Sequence, residues 1–362
     1  MAYSIRLTIQ STLLLLVLII GISIVASAQK RQAPAYTQKI DSLVAAQGDA
    51  SFNGVILIKR NRRIIYRKVQ GVSSYEQATP LKLNSPFLLG SMSKQITAVL
   101  VLREVDKGRL DLNKPIKYYL PELQQSWADS ITLHQLLNHS SGLVALDKPL
   151  AFTPGTRFLY SPYLAYHLLS RVIETTSGKS FDALIEDLFR LARMKNSAYP
   201  FGTTDKNQAS GYLKGADGQP EKVDMDYKTI RPMVPGGALI STPLDLLRWN
   251  DQLHGGKLLS AQSYELMISH QITREHSIWG TTGYGYGIQV NRDNGITELG
   301  HSGYCEGFNN INFYYPDSKT SLIILSNTDW YPEDISKTFE LHKQIRAIFR
   351  GHISSRRFSQ KQ

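Results

Sequence analysis

The residues best suited to chemistry are a serine and a lysine three positions apart. Gly90-Ser91-Met92-Ser93-Lys94 directly precedes an apolar run over residues 96–105. Helical geometry puts Ser91 at a helix start and Lys94 one turn later on the same face. A serine hydroxyl is a weak nucleophile until a neighbouring base takes its proton. A buried lysine has a lowered pKa and can be that base, or can hold charge that tunes another base. The helix N-terminus also favours negative charge developing beside it. Taken alone, the pair reads as an N-cap serine and a solvated helix lysine. A second Ser-x-x-Lys, Ser27-Ala-Gln-Lys30, is accidental.

The wider pattern changes that reading. Leu136-Leu137-Asn138-His139-Ser140-Ser141-Gly142 is followed by Thr153-Pro154-Gly155 and then Phe158-Leu159-Tyr160-Ser161. Gly236-Gly237, Ser241-Thr242 and His301-Ser302-Gly303 come later in the chain. In this order the motifs resemble the serine β-lactamase and penicillin-binding-protein superfamily. They are most similar to the branch holding class C β-lactamases, D-aminopeptidases, alkaline D-peptidases and related esterases. The resemblance spans residues 52–327.

The resemblance implies a role for each matching residue. Ser91 is the acylated nucleophile, and Lys94 beside it is base or charge partner. Tyr160 helps to activate the serine and later the deacylating water. His301, Ser302 and Gly303 form the strand that lines the opposite wall of the groove, with Ser302 and Gly303 against the substrate. The oxyanion hole comes from the N–H groups of Ser91 and Tyr304, the kind of donor pair that is often the largest catalytic term. No metal and no cofactor are implied. Each residue also has an ordinary structural reading: Tyr160 as a packed tyrosine with one partner, His301 as a satisfied strand histidine, and residues 137–142 as a helix end and turn. His254-Gly255-Gly256 also fits His-x-Gly, but there the glycines cap a helix.

Two positions depart from the family pattern. Tyr160-Ser161-Pro162 stands where Tyr-x-Asn is usual. Proline has neither a side-chain amide nor an N–H, so an amide-bearing substrate loses an anchor worth roughly 1–3 kcal/mol. This disfavours β-lactamase or D-peptidase activity more than ester hydrolysis. His301 replaces a lysine and is expected to give a weaker, pH-dependent positive charge near a substrate carboxylate. The one cysteine, Cys305, follows closely and reads as a small buried residue.

The elements that must position these residues are strands at both ends of the chain and helices between. Residues 55–58 and 64–69 read as a hairpin with a basic tip at 59–63. Helical patterns fall at 38–46, 94–107, 134–137, 163–176, 181–191 and 243–253, with Gly108, Gly178 and Gly255 as C-caps. Strand patterns resume at 286–290, 297–300, 309–315 and 321–326, and a final amphipathic helix covers 334–349. The expected fold is therefore α+β, β-lactamase/transpeptidase-like: an antiparallel sheet flanked by N- and C-terminal helices. Its sheet part is drawn from residues 50–90 and 283–350, around a mainly helical insert at 91–282. A basic tail at 351–362 is expected to fray.

Length and composition fit one domain. The chain has 362 residues, 42% hydrophobic and 20% charged, so it is neither a disordered chain nor a polytopic membrane protein. A lone cysteine excludes an internal disulfide framework. Residues 1–28, with Arg6, an apolar stretch at 13–25 and Ala26-Ser27-Ala28, read as a cleaved signal peptide, the alternative being a retained anchor. The domain is then 29–350, exported to the periplasm or secreted, with no stable membrane span after cleavage. Export turns the net charge of +11 away from nucleic acid and toward an anionic envelope surface. The expected partner is a small-molecule ester, amide or peptide substrate, with cell-wall polymer as a further partner. Three functions are carried forward: an exported serine hydrolase acting through a Ser91 acyl-enzyme, a β-lactamase or D-Ala-D-Ala-type peptidase, and a non-catalytic relative that binds envelope polymer.

Overall fold

Helix α1 (Ala35–Ala45) opens the described part of the chain; the computed structural model describes residues 34–48, 50–200 and 208–359. The expected leader at 1–28 lies outside the described residues. A hairpin follows, β1 (Gly54–Arg60) and β2 (Arg63–Gln70), with Asn61 at φ 53° in its turn. The middle of the chain carries α2 (Ser93–Asp106), α3 (Leu133–Leu137), α4 (Leu164–Ser177), α5 (Phe181–Leu191), α6 (Val234–Gly237), α7 (Pro243–Leu253) and α8 (Ala261–Ile268). Six strands come next: β3 (Ile272–His276), β4 (Gly280–Tyr284), β5 (Gln289–Asp293), β6 (Ile296–Cys305), β7 (Phe308–Tyr315) and β8 (Thr320–Ser326). Helix α9 (Glu340–Ser359) closes the described chain.

The eight strands form one sheet in the order β2-β1-β8-β7-β6-β5-β4-β3. Every pairing along it is antiparallel, and β1 meets β8 with Gly54 opposite Ser326 and Arg60 opposite Thr320. The first and last parts of the chain therefore share a ladder. Alternation along the strands sends Val55, Leu57, Ile323 and Leu325 to one face, where they join the core under α2. Ile56, Ile58, Ile311 and Ile324, equally buried, point to the other face. On that second face Phe349 of α9 packs edge-on against Tyr315 at 5.4 Å. Among the described residues no helix is long and apolar enough to cross a membrane.

Helix α2 is buried on nearly every side, from Ser93 through Leu102. A helix apolar all round belongs in the middle of a structure, and its polar side chains each find a partner. Ser93 Oγ donates to the Gly90 carbonyl at 2.8 Å, Thr97 Oγ1 donates to the Pro235 carbonyl at 2.6 Å, and Gln95 Oε1 accepts from Trp249 Nε1 at 3.1 Å. The turn into α2 lies directly on strand β6. Gly90 has φ 59°, and a Cβ there would fall 2.6 Å from the Tyr304 nitrogen. A Cβ on Gly303 would fall 2.0 Å from the Leu89 carbonyl oxygen. Only glycines allow this backbone-to-backbone approach, which brings Ser91 against the strand.

The structure departs from expectation in four places. The sheet resumes at Ile272, not near 283, because β3 and β4 form a hairpin, Gly280 opposite His276, on the sheet edge. Helix α8, capped by Ser260 Oγ accepting from Ser263 N, was not anticipated. The glycine in left-handed backbone after α7 is Gly256 (φ 68°), not Gly255. The last helix continues to Ser359 instead of fraying after 349. Buried Glu298 pins the helix around Phe349: Arg346 grips that carboxylate with Nε and Nη2 at 2.7–3.0 Å, and Arg350 approaches it at 3.4 Å.

Candidate active site

Ser91 lies in the single 3-10 turn that leads into α2, and Lys94 is on the first turn of that helix. The Lys94 side chain is wholly buried, with Nζ 3.2 Å from Ser91 Oγ. The same nitrogen donates to two carbonyl oxygens, those of Pro162 and Gly236, both at 2.6 Å. Burial first, and the positive charge of Arg274 second, hold the Lys94 amine well below the ordinary lysine range. The amine is thus surrounded by three oxygens, one of them Ser91 Oγ, in a setting that disfavours its charged form.

Tyr160 reaches Ser91 from the insert, its hydroxyl donating to Ser91 Oγ at 2.6 Å. Burial pushes this phenol above its ordinary value, while Arg274 and the bond to Ser91 pull the other way. The resting tyrosine is therefore a phenol and not a phenolate. His139 explains how the ring is held. It is fully buried in left-handed backbone (φ 61°), and its carbonyl accepts from Leu159 N at 2.8 Å. Its Nδ1 accepts from Ser161 N at 3.2 Å, and its ring lies 4.7 Å from that of Tyr160. The Leu-Leu-x-His-x-Ser-Gly segment is thus the support under Tyr160.

On strand β6 the three triplet residues have different fates. His301 is 1% exposed. Its Nδ1 donates to the Ser302 carbonyl at 2.5 Å, and its Nε2 accepts from Tyr284 OH at 2.9 Å. Burial, with Lys94 next, drives this imidazole well below the usual histidine range. The expected pH-dependent positive charge at His301 is corrected: the ring is neutral and both nitrogens are spoken for. Ser302 is also corrected as a substrate contact. Its hydroxyl accepts from Trp279 Nε1 at 3.0 Å, and that indole packs edge-on against Phe313 and Phe339. Strand alternation turns it to the α9 side of the sheet. Gly303 faces Leu89 and Met92, where its missing side chain makes room for the Ser91 turn. The Tyr304 nitrogen lies beside Gly90, as an oxyanion donor next to Ser91 must, while its hydroxyl donates to Asp329 at 3.0 Å.

Arg274 is the site residue that sequence reading missed. It comes from edge strand β3, and its guanidinium carbon stands 4.4 Å from the centre of the Tyr160 ring. The available signal was the short run Ile272-Thr273-Arg274-Glu275-His276, whose two charges and length hide a strand. Tyr284 and Tyr166 complete the aromatic wall around His139. Beside the Tyr304 end of the site a cavity of about 390 Å³ is lined by Tyr163, Met225, Met233, Gly237, Tyr304 and Cys305. Burial lifts the Cys305 thiol to about 12, so it is no nucleophile. Among the described residues no cluster of three or more His, Cys, Asp or Glu side chains could hold a metal ion.

Comparison with known proteins fits this geometry. The family model described as Beta-lactamase matches residues 39–345. Esterase EstB of Burkholderia gladioli is 30% identical over an alignment of 213 residues, with 47% of this chain and 52% of EstB covered. Putative penicillin-binding protein PbpX of Bacillus subtilis is 26% identical over 319 residues, covering 80% of this chain and 73% of PbpX. The chain thus spans about half the length of the first relative and about three-quarters of the second. Among solved structures, the octameric penicillin-binding protein homologue from Pyrococcus abyssi superposes with a TM-score of 0.72 at 25% identity, over 85% of this chain and 77% of that one. A class C β-lactamase gives 0.71 at 19% identity, over 88% and 98% of the two chains, a likeness of fold.

Proposed function

The chain belongs to the Beta-lactamase family and is a serine hydrolase, and from that premise we propose that it hydrolyses carboxylic esters through an acyl-enzyme on Ser91. One observation carries the proposal: Ser91 Oγ meets both Lys94 Nζ at 3.2 Å and the Tyr160 hydroxyl at 2.6 Å. In this reading Lys94 takes the Ser91 proton as Oγ attacks the ester carbonyl. The N–H groups of Ser91 and Tyr304 hold the resulting oxyanion, and Tyr160 supplies a proton to the departing alcohol. Water then repeats the sequence on the acyl-enzyme and frees Ser91.

The choice of ester over β-lactam or D-peptide rests on Pro162. It offers Lys94 a main-chain carbonyl and offers a substrate amide nothing. The mainly apolar cavity beside Tyr304 suits an uncharged acyl or alcohol group. Export to the periplasm or beyond belongs to the same proposal and rests on the pattern of residues 1–28. Binding of cell-wall polymer through basic surface is the weaker companion reading.

A fluorophosphonate probe tests the mechanism. Wild-type protein should be labelled and Ser91→Ala should not; labelling that survives the substitution removes Ser91 from the reaction. Parallel assays with a p-nitrophenyl acyl ester, a chromogenic cephalosporin and a D-Ala-D-Ala peptide test the substrate. Turnover of the peptide or cephalosporin well above the ester would replace the esterase with the peptidase or β-lactamase.

A further inference from the structure

Among the described residues Arg274 is an arginine without an acid. Its Nη1 is buried with no hydrogen-bond partner among the described residues. Burial lowers its pKa, and the groups that pull the other way are two tyrosines, Tyr160 and Tyr284, and no carboxylate. Its guanidinium carbon lies 4.4 Å from the centre of the Tyr160 ring and 5.4 Å from that of Phe158. The other titratable groups around Tyr160 are Lys94 on α2, His139 after α3, Tyr166 on α4, Tyr284 on β4 and His301 on β6. Burial holds Lys94 and the two histidines well below their ordinary values, and the Tyr284 hydroxyl is committed to His301. That leaves one permanent positive charge at the site, and it stands against the tyrosine that touches the nucleophile. A guanidinium does not give up its proton in a protein, whereas an ammonium this close to Lys94 would be pressed to.

We propose that Arg274 is a positioning residue for Tyr160, whose fixed charge lets the phenol surrender its proton to the leaving alcohol. The proposal rests on the ester-hydrolase reading of Ser91. Ser91 Oγ bonds to the carbonyl carbon, and its proton passes to Lys94. When the tetrahedral intermediate collapses, the bond from carbon to the leaving oxygen breaks with its electron pair on that oxygen. The Tyr160 proton moves to the same oxygen, leaving a phenolate beside Arg274. Lys94 then returns its proton to Tyr160, so the alcohol leaves with the Tyr160 proton, the Ser91 proton ends on Tyr160, and no other reactant is needed.

The dependence on the leaving group separates this role from a merely structural one. An ester whose alcohol is acidic leaves without a proton; an alkyl ester needs one. We would compare kcat/KM for p-nitrophenyl butyrate and ethyl butyrate in wild type, Arg274→Gln and Arg274→Lys. Arg274→Gln is expected to slow the ethyl ester about tenfold or more beyond its effect on the p-nitrophenyl ester, with part of that difference restored in Arg274→Lys. Because the readout is a ratio within one preparation, partial misfolding cancels. An equal loss on both esters, or no loss on either, overturns the role of Arg274 while leaving Ser91 in place. Turnover of neither ester by the wild type overturns the hydrolase reading and this inference with it.

Discussion

Lys94 Nζ donates to the Pro162 carbonyl oxygen at 2.6 Å, across 68 residues of sequence. The position where the family uses an asparagine side chain therefore serves through its backbone. The lysine stays buried and oriented, with its amine held well below the ordinary lysine range.

Replacing Lys94 by methionine tests that orientation. The variant keeps the apolar stem and removes the nitrogen that faces Ser91. Acylation by a p-nitrophenyl ester should fall about 10²- to 10⁴-fold, the usual worth of a positioned base. In the wild type, burial has lowered the amine, so falling pH protonates Lys94 and activity should decline on the acid side. Stopped-flow acylation measured across pH checks both; an acid limb that survives in Lys94→Met assigns it to another group.

Pro162→Asn should change substrate preference more than rate. The new side chain restores a donor and an acceptor for a substrate amide, worth about 1–3 kcal/mol. The ratio of D-Ala-D-Ala peptide to p-nitrophenyl ester turnover should rise accordingly. If the ratio stays fixed, the proline is not what excludes amides.

Gly90→Ala should damage fold and catalysis together. The backbone there is at φ 59°, and the added methyl would sit 2.6 Å from the Tyr304 nitrogen. The strained backbone alone costs about 1–3 kcal/mol, readable in urea denaturation. Pushing Tyr304 N away from Ser91 should also lower kcat with KM little changed. Unchanged kcat would separate the Tyr304 N–H from the oxyanion hole.

Stability should fall on the acid side of neutrality. Burial lowers His276 to about 3, with Arg274 adding to the effect, and lowers His342 to about 4 against a weaker opposing bond to the Asn309 carbonyl. Both are neutral in the folded protein, while the unfolded chain takes up protons below about 6.5. Their contribution is therefore whole above pH 6.5 and is lost as pH drops toward 4 for His342 and 3 for His276. Each group adds up to about 1.4 kcal/mol per pH unit within its window. Urea midpoints at pH 7 and 4.5 should show the loss, and His342→Gln should reduce it by that residue's share.

The sequence by itself singled out the serine, lysine and tyrosine that the structure brings together. Ser91 and Lys94 are bound by helical spacing, a local rule, and the order of the motifs carried Tyr160 and the β6 triplet. Strands with long apolar runs, such as β1 and β8, were legible for the same local reason. What only the tertiary structure decided was where charge sits and which way side chains face. His301 lost its charge because burial, and Lys94 next, disfavour the imidazolium despite the opposing bond to the Ser302 carbonyl, and Ser302 turned away because strand alternation aims it at Trp279. Arg274 entered the site from a short, charged edge strand whose alternation carries too little apolar signal to announce it. Protonation follows burial and neighbours brought together from strands and helices far apart in the chain, and no local spacing encodes that.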